Sequence, residues 1–191
     1  MAKVHASITS RLAEFIEAQR VFFVATAPSV GGRVNVSPKG VNGTFAIVDD
    51  HTVAYLDLTA SGAETIAHVR DNGRITLMFC AFEGAPNVVR LHGQGRVVSL
   101  YDDEFAGWLP RFADVEGARA VIVVDVERVS DSCGFSIPLL EYAGERDLLA
   151  RSLERRGVNG RAAYRRQKNR VSIDGLPAFD DDPAESLIDA E

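Results

Sequence analysis

Residues 55–79, YLDLTASGAETIAHVRDNGRITLMF, decide the fold because their character changes three times within one short stretch. An apolar, β-like run at 55–58 gives way to small and polar residues at 59–65. A helical pattern then continues through His68 and Arg70, and a second β-like run follows at 75–79. The stretch therefore predicts a strand, a polar turn, a short helix and a returning strand.

The polar turn has two interpretations. Ser61 or Thr59 can cap the following helix, which is a common role of such residues. Alternatively, the small residues around Gly62 let a ligand approach the backbone closely. The hydroxyls of Ser61 and Thr65 would then join the free N–H groups of the helix in binding an anion. The local pattern leaves both interpretations open.

The rest of the first 133 residues consists mainly of short strand-like runs separated by turns. These runs stand at 21–27, 33–38, 43–48, 52–58, 88–100 and 119–131. The turn clusters PSVGG, DDH and GAPN favour antiparallel pairing, because parallel strands would need a helix after nearly every strand. Short helices are predicted over 7–19 and 102–112. We therefore expect a mainly β fold, in which a curved antiparallel sheet closes into a small barrel with flanking helices.

The composition changes at about residue 134. We predict a barrel over 1–133, a helical C-terminal extension over 134–179 and an acidic tail over 180–191. The extension reads as a loop, two helices and an extended stretch, and between Arg146 and Arg170 it carries nine Lys or Arg residues against two acids. This basic segment is a solvated face that offsets the acidic tail, or a basic lip that binds an anionic group over a ligand groove. Binding of nucleic acid is a third interpretation, which the scarcity of stacking aromatic residues disfavours.

Charge and cysteine content exclude several classes of protein. A net charge of −6 argues against nonspecific binding to nucleic acid or to an anionic membrane. No apolar run approaches the roughly 20 residues that a membrane span needs, and the N-terminus lacks the apolar region of a signal peptide. Cys80 and Cys133 form no CxxC motif, so we expect a reduced, cytoplasmic protein in which Cys80 is a packing thiol.

Familiar catalytic patterns are missing from the sequence. The four histidines are scattered without metal-ligand spacing, so no metal site is predicted. No side chain is a convincing general acid or base, so the catalytic residues stay unknown at this stage and none is named. Any redox chemistry would have to come from a bound cofactor.

A second stretch, RVNVSPKG at 33–40, predicts a strand end with binding potential. Pro38 removes a backbone donor, which places this strand at an edge of the sheet, where free backbone groups can meet a planar ligand. Lys39 then adds a cation at the end of the strand. The alternative is an ordinary exposed hairpin lysine that contributes little to stability.

The chain resembles the pyridoxamine 5′-phosphate oxidase-like family of FMN-binding split barrels. The resemblance rests on RVNVSPKG, on residues 55–79 and on VVRLHGQGRVV at 88–98, in that order, and spans roughly residues 10–130. It implies a six-stranded antiparallel split barrel, a homodimer, FMN in grooves at the dimer interface, and oxidoreductase activity on a small molecule. The cofactor-binding residues that it implies are Asn35, Val36, Ser37, Pro38, Lys39, Tyr55, Ser61, Gly62 and Thr65.

Within this resemblance, the ring of FMN would lie along 35–38 and its phosphate near 61–65, with Lys39 on the phosphate side. The chain departs from the family at the phosphate. An Arg-Lys pair follows the serine of this turn in the family, whereas this chain has Gly62-Ala63-Glu64. Glu64 would repel a phosphate unless its side chain points away. The cations that could replace the missing pair are Arg33, Arg74 and Arg90.

Three alternatives follow from this departure. The deazaflavin F420, which related split barrels use, could replace FMN. The protein could instead bind a flavin or a haem without catalysis, with His68 or His92 as the axial ligand of a haem. It could also be an interaction module without a cofactor. For the homodimer, the apolar runs at 21–27 and 120–126 are expected to supply the surface that is buried.

Overall fold

A curled antiparallel sheet forms the body of the protein. The computed structural model describes residues 3–179. Its elements are β1 (Lys3–His5), α1 (Ser10–Glu17), β2 (Phe22–Thr26), β3 (Asn35–Lys39), β4 (Phe45–Ile47), β5 (Thr52–Leu58), α2 (Glu64–Asn72), β6 (Arg74–Cys80), β7 (Val88–Ser99), α3 (Phe105–Trp108), a 3₁₀ turn (Leu109–Arg111), β8 (Ala118–Ser132) and α4 (Leu148–Lys168).

The strands follow the order β3-β2-β6-β7-β8-β5-β4, with β1 paired to β8. All these pairs are antiparallel. Six strands of the described chain have five or more residues, and β1 and β4 have three each. The predicted mainly β antiparallel barrel is confirmed, and the sequence analysis missed only the short β1.

The core lies inside the curl of the sheet. Leu12 and Ile16 are buried against it because α1 presents one apolar face. The helix α2 is buried more completely, over the consecutive residues 65–69, which include Ile66. Phe22 lies 5.2–5.6 Å, centroid to centroid, from three other aromatic rings of the cluster, those of Phe45, Tyr55 and Phe79. This cluster ties β2 to β4, β5 and β6.

The apolar runs at 21–27 and 120–126 pack largely within their own chain. Phe22 and Val24 on β2, and Ile122 and Val124 on β8, are buried there. Phe23, on the other face of β2, is half-buried, and the expectation that these runs form a dimer surface stays a prediction. Hydrophobic side chains that are exposed instead stand on and beside β3 and after β8, at Val34, Val36, Phe135, Leu139 and Leu140.

The C-terminal extension consists of a loop and a broken helix that lead back to the barrel. Residues 134–147 form an exposed loop, and α4 breaks at Gly157, where φ is +61°, so that two helical segments result. The extension is also joined to the barrel, since Ala178 and Phe179 are buried in its core. The predicted acidic tail, 180–191, lies outside the described residues. Among residues 3–179, no helix has both the length and the apolar character needed to cross a membrane.

Candidate functional site

The two stretches singled out in the sequence meet in the structure. Asn35, at the start of β3, lies with its Nδ2 3.2 Å from the hydroxyl of Thr65 in the first turn of α2. The alternation of β3 places Asn35, Ser37 and Lys39 half-buried, while Val36 and Pro38 are exposed. Within residues 3–179, β3 is an edge strand, so one row of its backbone groups has no neighbouring strand there. We call the region between β3 and the start of α2 the groove.

A buried carboxylate lies beneath one end of the groove. Asp57, near the end of β5, is 1% exposed, and its two oxygens lie 2.7 Å from Lys39 Nζ and 2.7 Å from Arg119 Nε. Burial alone would raise the pKa of Asp57, but the Arg119 and Lys39 cations outweigh it and lower the pKa to about 2. Two cations and one carboxylate leave one net positive charge there.

Lys39 is therefore not the exposed hairpin lysine that the sequence left open. It is the last residue of β3, its side chain is 24% exposed, and its ammonium group is held by Asp57. Its Nζ also lies 5.7 Å from the centroid of the Tyr55 ring. The expectation that Lys39 contributes little to stability is wrong for this arrangement, because a buried ion pair depends on both partners.

Arg119 organises the polar turn at 59–63 from below. Its guanidinium donates to the carbonyl oxygens of Gly62 at 2.6 Å and Ala60 at 3.4 Å, in addition to pairing with Asp57. Asn169 Nδ2 donates to the same Ala60 carbonyl at 2.9 Å. These donors draw the carbonyl groups of the turn inward and fix its backbone.

Arg119 was missed in the sequence analysis. The signal was present: Asp57 is the one charge in the buried run TVAYLDL, and Arg119 begins the apolar run RAVIVVDV. A buried charge requires a partner, so two isolated opposite charges on strands of one sheet predict a pair.

The start of α2 resolves the two interpretations of the polar turn. The N-cap residue is Ala63, without a side-chain capping hydrogen bond. Ser61 is exposed, and the buried hydroxyl of Thr59 has no partner in the described part of the chain. The capping interpretation is therefore wrong, and the N–H groups of the first turn keep their capacity to bind an anion.

Glu64 does not point away from this turn. A Cβ built on Gly62 would meet the Glu64 carboxylate, and the other oxygen of Glu64 accepts a hydrogen bond from the backbone N–H of Ile173 at 3.2 Å. Gly62 thus faces a side chain of its own turn. A carboxylate of the protein stands where the resemblance would place a phosphate.

Tyr55 and Thr65 are less accessible than Asn35 and Ser37. The ring of Tyr55 is fully buried, and burial raises the pKa of its hydroxyl far above its ordinary value. The structure thus places Tyr55 in the core beneath the groove. Thr65 is 6% exposed and reaches the groove through its contact with Asn35.

One of the three candidate cations borders the groove. Arg33 stands two residues before β3, and both its backbone N–H and its guanidinium bind the carboxylate of Asp174. Arg74 is held by Asn72 and by the carbonyl of Pro28, and Arg90 lies 3.3 Å from the hydroxyl of Ser132, between β7 and β8.

The remaining candidates have mainly structural surroundings. Nδ1 of the buried His68 lies 3.0 Å from the hydroxyl of Thr26, and burial lowers the pKa of its ring. Cys80 is buried, which raises the pKa of its thiol and confirms it as a packing residue. Within residues 3–179, no group of three or more His, Cys, Asp or Glu residues could hold a metal ion.

The basic segment is used partly for packing. Arg161 pairs with Glu116, and Arg165 is 7% exposed, with Nη2 3.3 Å from the hydroxyl of Tyr101. Other members, Arg155 and Arg156, are exposed. The segment therefore joins α4 to the barrel and leaves part of its charge in solvent.

Comparison with known proteins agrees with this fold. The sequence model of the family described as pyridoxamine 5′-phosphate oxidase matches residues 8–133. The pyridoxamine 5′-phosphate oxidase family protein ustO of Aspergillus flavus is 39% identical over 189 residues, which cover 91% of this chain and 76% of that protein.

Solved structures show the same architecture. A variant of HupZ from Group A Streptococcus is 25% identical, with a TM-score of 0.53 over 65% of this chain and 99% of that chain. A second HupZ structure is 26% identical, with a TM-score of 0.51 over 64% of this chain and 91% of that chain. Since the family model covers well over half of the sequence, this chain belongs to the pyridoxamine 5′-phosphate oxidase family.

Proposed function

We propose that the protein is a flavin-dependent oxidoreductase that binds FMN in the groove between β3 and α2. The observation that carries the proposal is the contact between Asn35 and Thr65, which brings the edge strand β3 and the uncapped start of α2 together. The positive cluster of Asp57, Lys39 and Arg119 lies next to them. An edge strand offers backbone groups to a planar ring, and the helix start and the cluster favour an anion.

The residues present fit a flavin mononucleotide. The backbone of β3, with Asn35 and Ser37, would face the ring, while the amides of the first turn of α2 would face the phosphate. A bound flavin supplies hydride transfer. The protein would position and shield the flavin. His68 is neutral and buried, and Lys39 is paired with Asp57, so any proton would be transferred by the substrate or by solvent.

A homodimer would cover the open side of the groove. The exposed hydrophobic residues Val34 and Val36 stand along β3, and Phe135 and Leu139 lie in the loop after β8. Exposed apolar patches of this kind are typical of protein interfaces. We propose that a second copy of the chain covers them, which would enclose the ring of the flavin.

The proposal is tested by titrating the purified protein with FMN and with F420. We expect FMN to bind with a shifted flavin absorption band, and F420 to bind more weakly. Asn35→Ala removes a side chain that is proposed to face the ring, and because a hydrogen bond to the ligand would contribute about 0.5–1.5 kcal/mol, FMN affinity should fall roughly two- to tenfold. Asn159→Ala, in the exposed part of α4, is the matched control. Failure of the wild-type protein to bind any flavin, or equal FMN affinity in Asn35→Ala, would contradict the proposal.

A haem-binding role is the second candidate. His92 is half-buried, its Nδ1 has no partner in the described part of the chain, and it lines a cavity of about 430 Å³ together with Arg74. A histidine ligand beside a cation would suit a haem with its acidic side chains. Titration with haemin distinguishes this role, since a Soret band that is lost in His92→Ala would favour it over the flavin.

A further inference from the structure

Residues 169–179 form a small hairpin that follows α4, here called the C-terminal hairpin. Its strands are joined by backbone hydrogen bonds from Ala178 to Arg170 and from Ser172 to Leu176, each 2.8 Å long. Gly175, with φ of +84°, makes the turn possible, because this backbone region suits glycine. Ile173 and Asp174 stand at the tip.

The base of the hairpin is fixed to the barrel. Asn169 is fully buried and donates to the carbonyl of Ala60 in the polar turn. Phe179 is fully buried in the core, with its ring centroid 5.8 Å from the guanidinium carbon of Arg119. The hairpin is thus anchored to the same turn and the same arginine that support the groove.

The tip of the hairpin bridges the start of α2 and the residues that precede β3. The backbone N–H of Ile173 donates to Glu64 at the start of α2, at 3.2 Å. The next residue, Asp174, accepts a hydrogen bond of 2.7 Å from the backbone N–H of Arg33 and also binds its guanidinium, beside the start of β3. Ile173 and Asp174 are consecutive residues, with Cα atoms about 3.8 Å apart. Together they therefore connect Glu64 at the start of α2 to Arg33 before β3.

The contacts of the tip are weaker than those of the base. The side chain of Arg33 is 70% exposed, so its ion pair with Asp174 is screened by solvent and contributes little to stability. The hydrogen bond from Arg33 lowers the pKa of Asp174, which is therefore ionised at neutral pH. Moving the tip would break the contacts of Ile173 and Asp174, whereas the base is held by the buried Asn169 and Phe179.

We propose that the tip of the C-terminal hairpin is a gate that selects phosphorylated flavins, in which Asp174 holds Arg33 until the phosphate of the ligand takes its place. The inference rests on the proposed flavin site. It assigns Arg33 as the cation that replaces the missing Arg-Lys pair of the polar turn. It also explains why two carboxylates can border a phosphate site. Asp174 belongs to the tip and would move with it, and Glu64 is hydrogen-bonded to the tip through Ile173.

The test compares FMN with riboflavin, which has the same ring but no phosphate. Asp174→Asn keeps the size of the side chain and removes its charge. We expect FMN affinity to rise about two- to fivefold in this variant, the range that an exposed ion pair supports, while riboflavin affinity stays within twofold of wild type. Arg33→Gln should lower FMN affinity and leave riboflavin affinity unchanged. Glu104→Gln, which breaks an exposed pair with Arg96 on another part of the barrel, is the matched control.

The outcomes separate this inference from the proposed function. If FMN binds to wild type but neither Asp174→Asn nor Arg33→Gln alters its affinity, the gate is wrong and the flavin site stands. If both ligands change equally, the hairpin acts on the ring or on folding, and the selection of phosphate is overturned. If no flavin binds to wild type or to Asp174→Asn, the flavin site fails and the gate fails with it.

Discussion

Replacing Arg119 by methionine should both destabilise the protein and shift its unfolding in acid. Methionine fills a similar volume without charge, so the loss comes from the ion pair with Asp57 at 2.7 Å and the hydrogen bonds to Gly62 and Ala60. Removing one partner of a buried pair leaves the other charge without full compensation, which costs about 3–5 kcal/mol. Because Lys39 remains beside Asp57, we expect the loss of stability to lie near the lower end of this range.

The pKa of Asp57 gives the pH range of the effect. A folded-state pKa of about 2, against an ordinary value of 3.8, corresponds to about 2 kcal/mol of stabilisation. Because the folded-state value is the lower one, this contribution is complete above pH about 4 and is lost as the pH falls through about 2. In Arg119→Met the strongest cause of the lowered pKa is gone, so acid unfolding should begin at a higher pH than in wild type.

Urea denaturation followed by far-UV circular dichroism, at pH 7 and at steps down to pH 2, measures both effects. Arg128→Met, at an exposed position of the same strand, is the matched control and should change the free energy of unfolding by less than about 0.5 kcal/mol. Arg119→Lys keeps the charge but not the fork of donors, and should fall between wild type and Arg119→Met. A free energy of unfolding for Arg119→Met equal to that of the control, with an unchanged acid limb, would refute the reasoning.

Three further outcomes follow from the same contacts. Lys39→Ala should lower the free energy of unfolding by about 1.5–3 kcal/mol in urea titrations, as expected for a hydrogen bond to a charged group, and a loss below about 0.5 kcal/mol would contradict its pairing with Asp57. Burial lowers the pKa of His68, so the stability that its neutral ring contributes is complete above pH about 6.5 and is lost at lower pH. In the same assay, His68→Gln should therefore lose less stability than wild type between pH 7 and pH 5. Light scattering at micromolar concentration should give the mass of a homodimer, whose interface is expected to exceed about 1,000 Å². Val36 is exposed on β3, so Val36→Asp should favour the monomer. A monomeric wild type would argue against a second copy of the chain covering the groove.

The fold could be predicted because its signals are local. Each strand-like run ends in a turn cluster, and the change from apolar to polar to helical in residues 55–79 fixes the order of β5, the polar turn, α2 and β6. The three-residue β1 carries no such signal. It is a strand because its residues pair with β8, from Lys3 opposite Asp131 to His5 opposite Val129, more than a hundred residues away.

The candidate site could be predicted only in part, because its contacts are distant along the chain. Asn35 and Thr65 were both chosen from the sequence, and they meet. The partners of Lys39 and Arg33 were not chosen, since Asp57 is 18 residues and Asp174 is 141 residues away. A sequence pattern gives the type of a side chain, but which charge neutralises it depends on how the hairpin and the strands fold together.

These pairings also bear on how tightly the groove can hold a phosphate. The cluster of Asp57, Lys39 and Arg119 contributes one net positive charge, while Arg33 is neutralised by Asp174 and Glu64 adds a negative charge at the helix start. With the hairpin tip in place, the charges around the polar turn nearly cancel, and a phosphate of charge about −2 gains little there. Moving the tip would release Arg33 from its ion pair and take Asp174 away, which changes this balance in favour of the phosphate. We therefore expect FMN to bind more loosely than it would with an Arg-Lys pair at the turn, and its affinity to depend on the hairpin tip, far from the turn along the sequence.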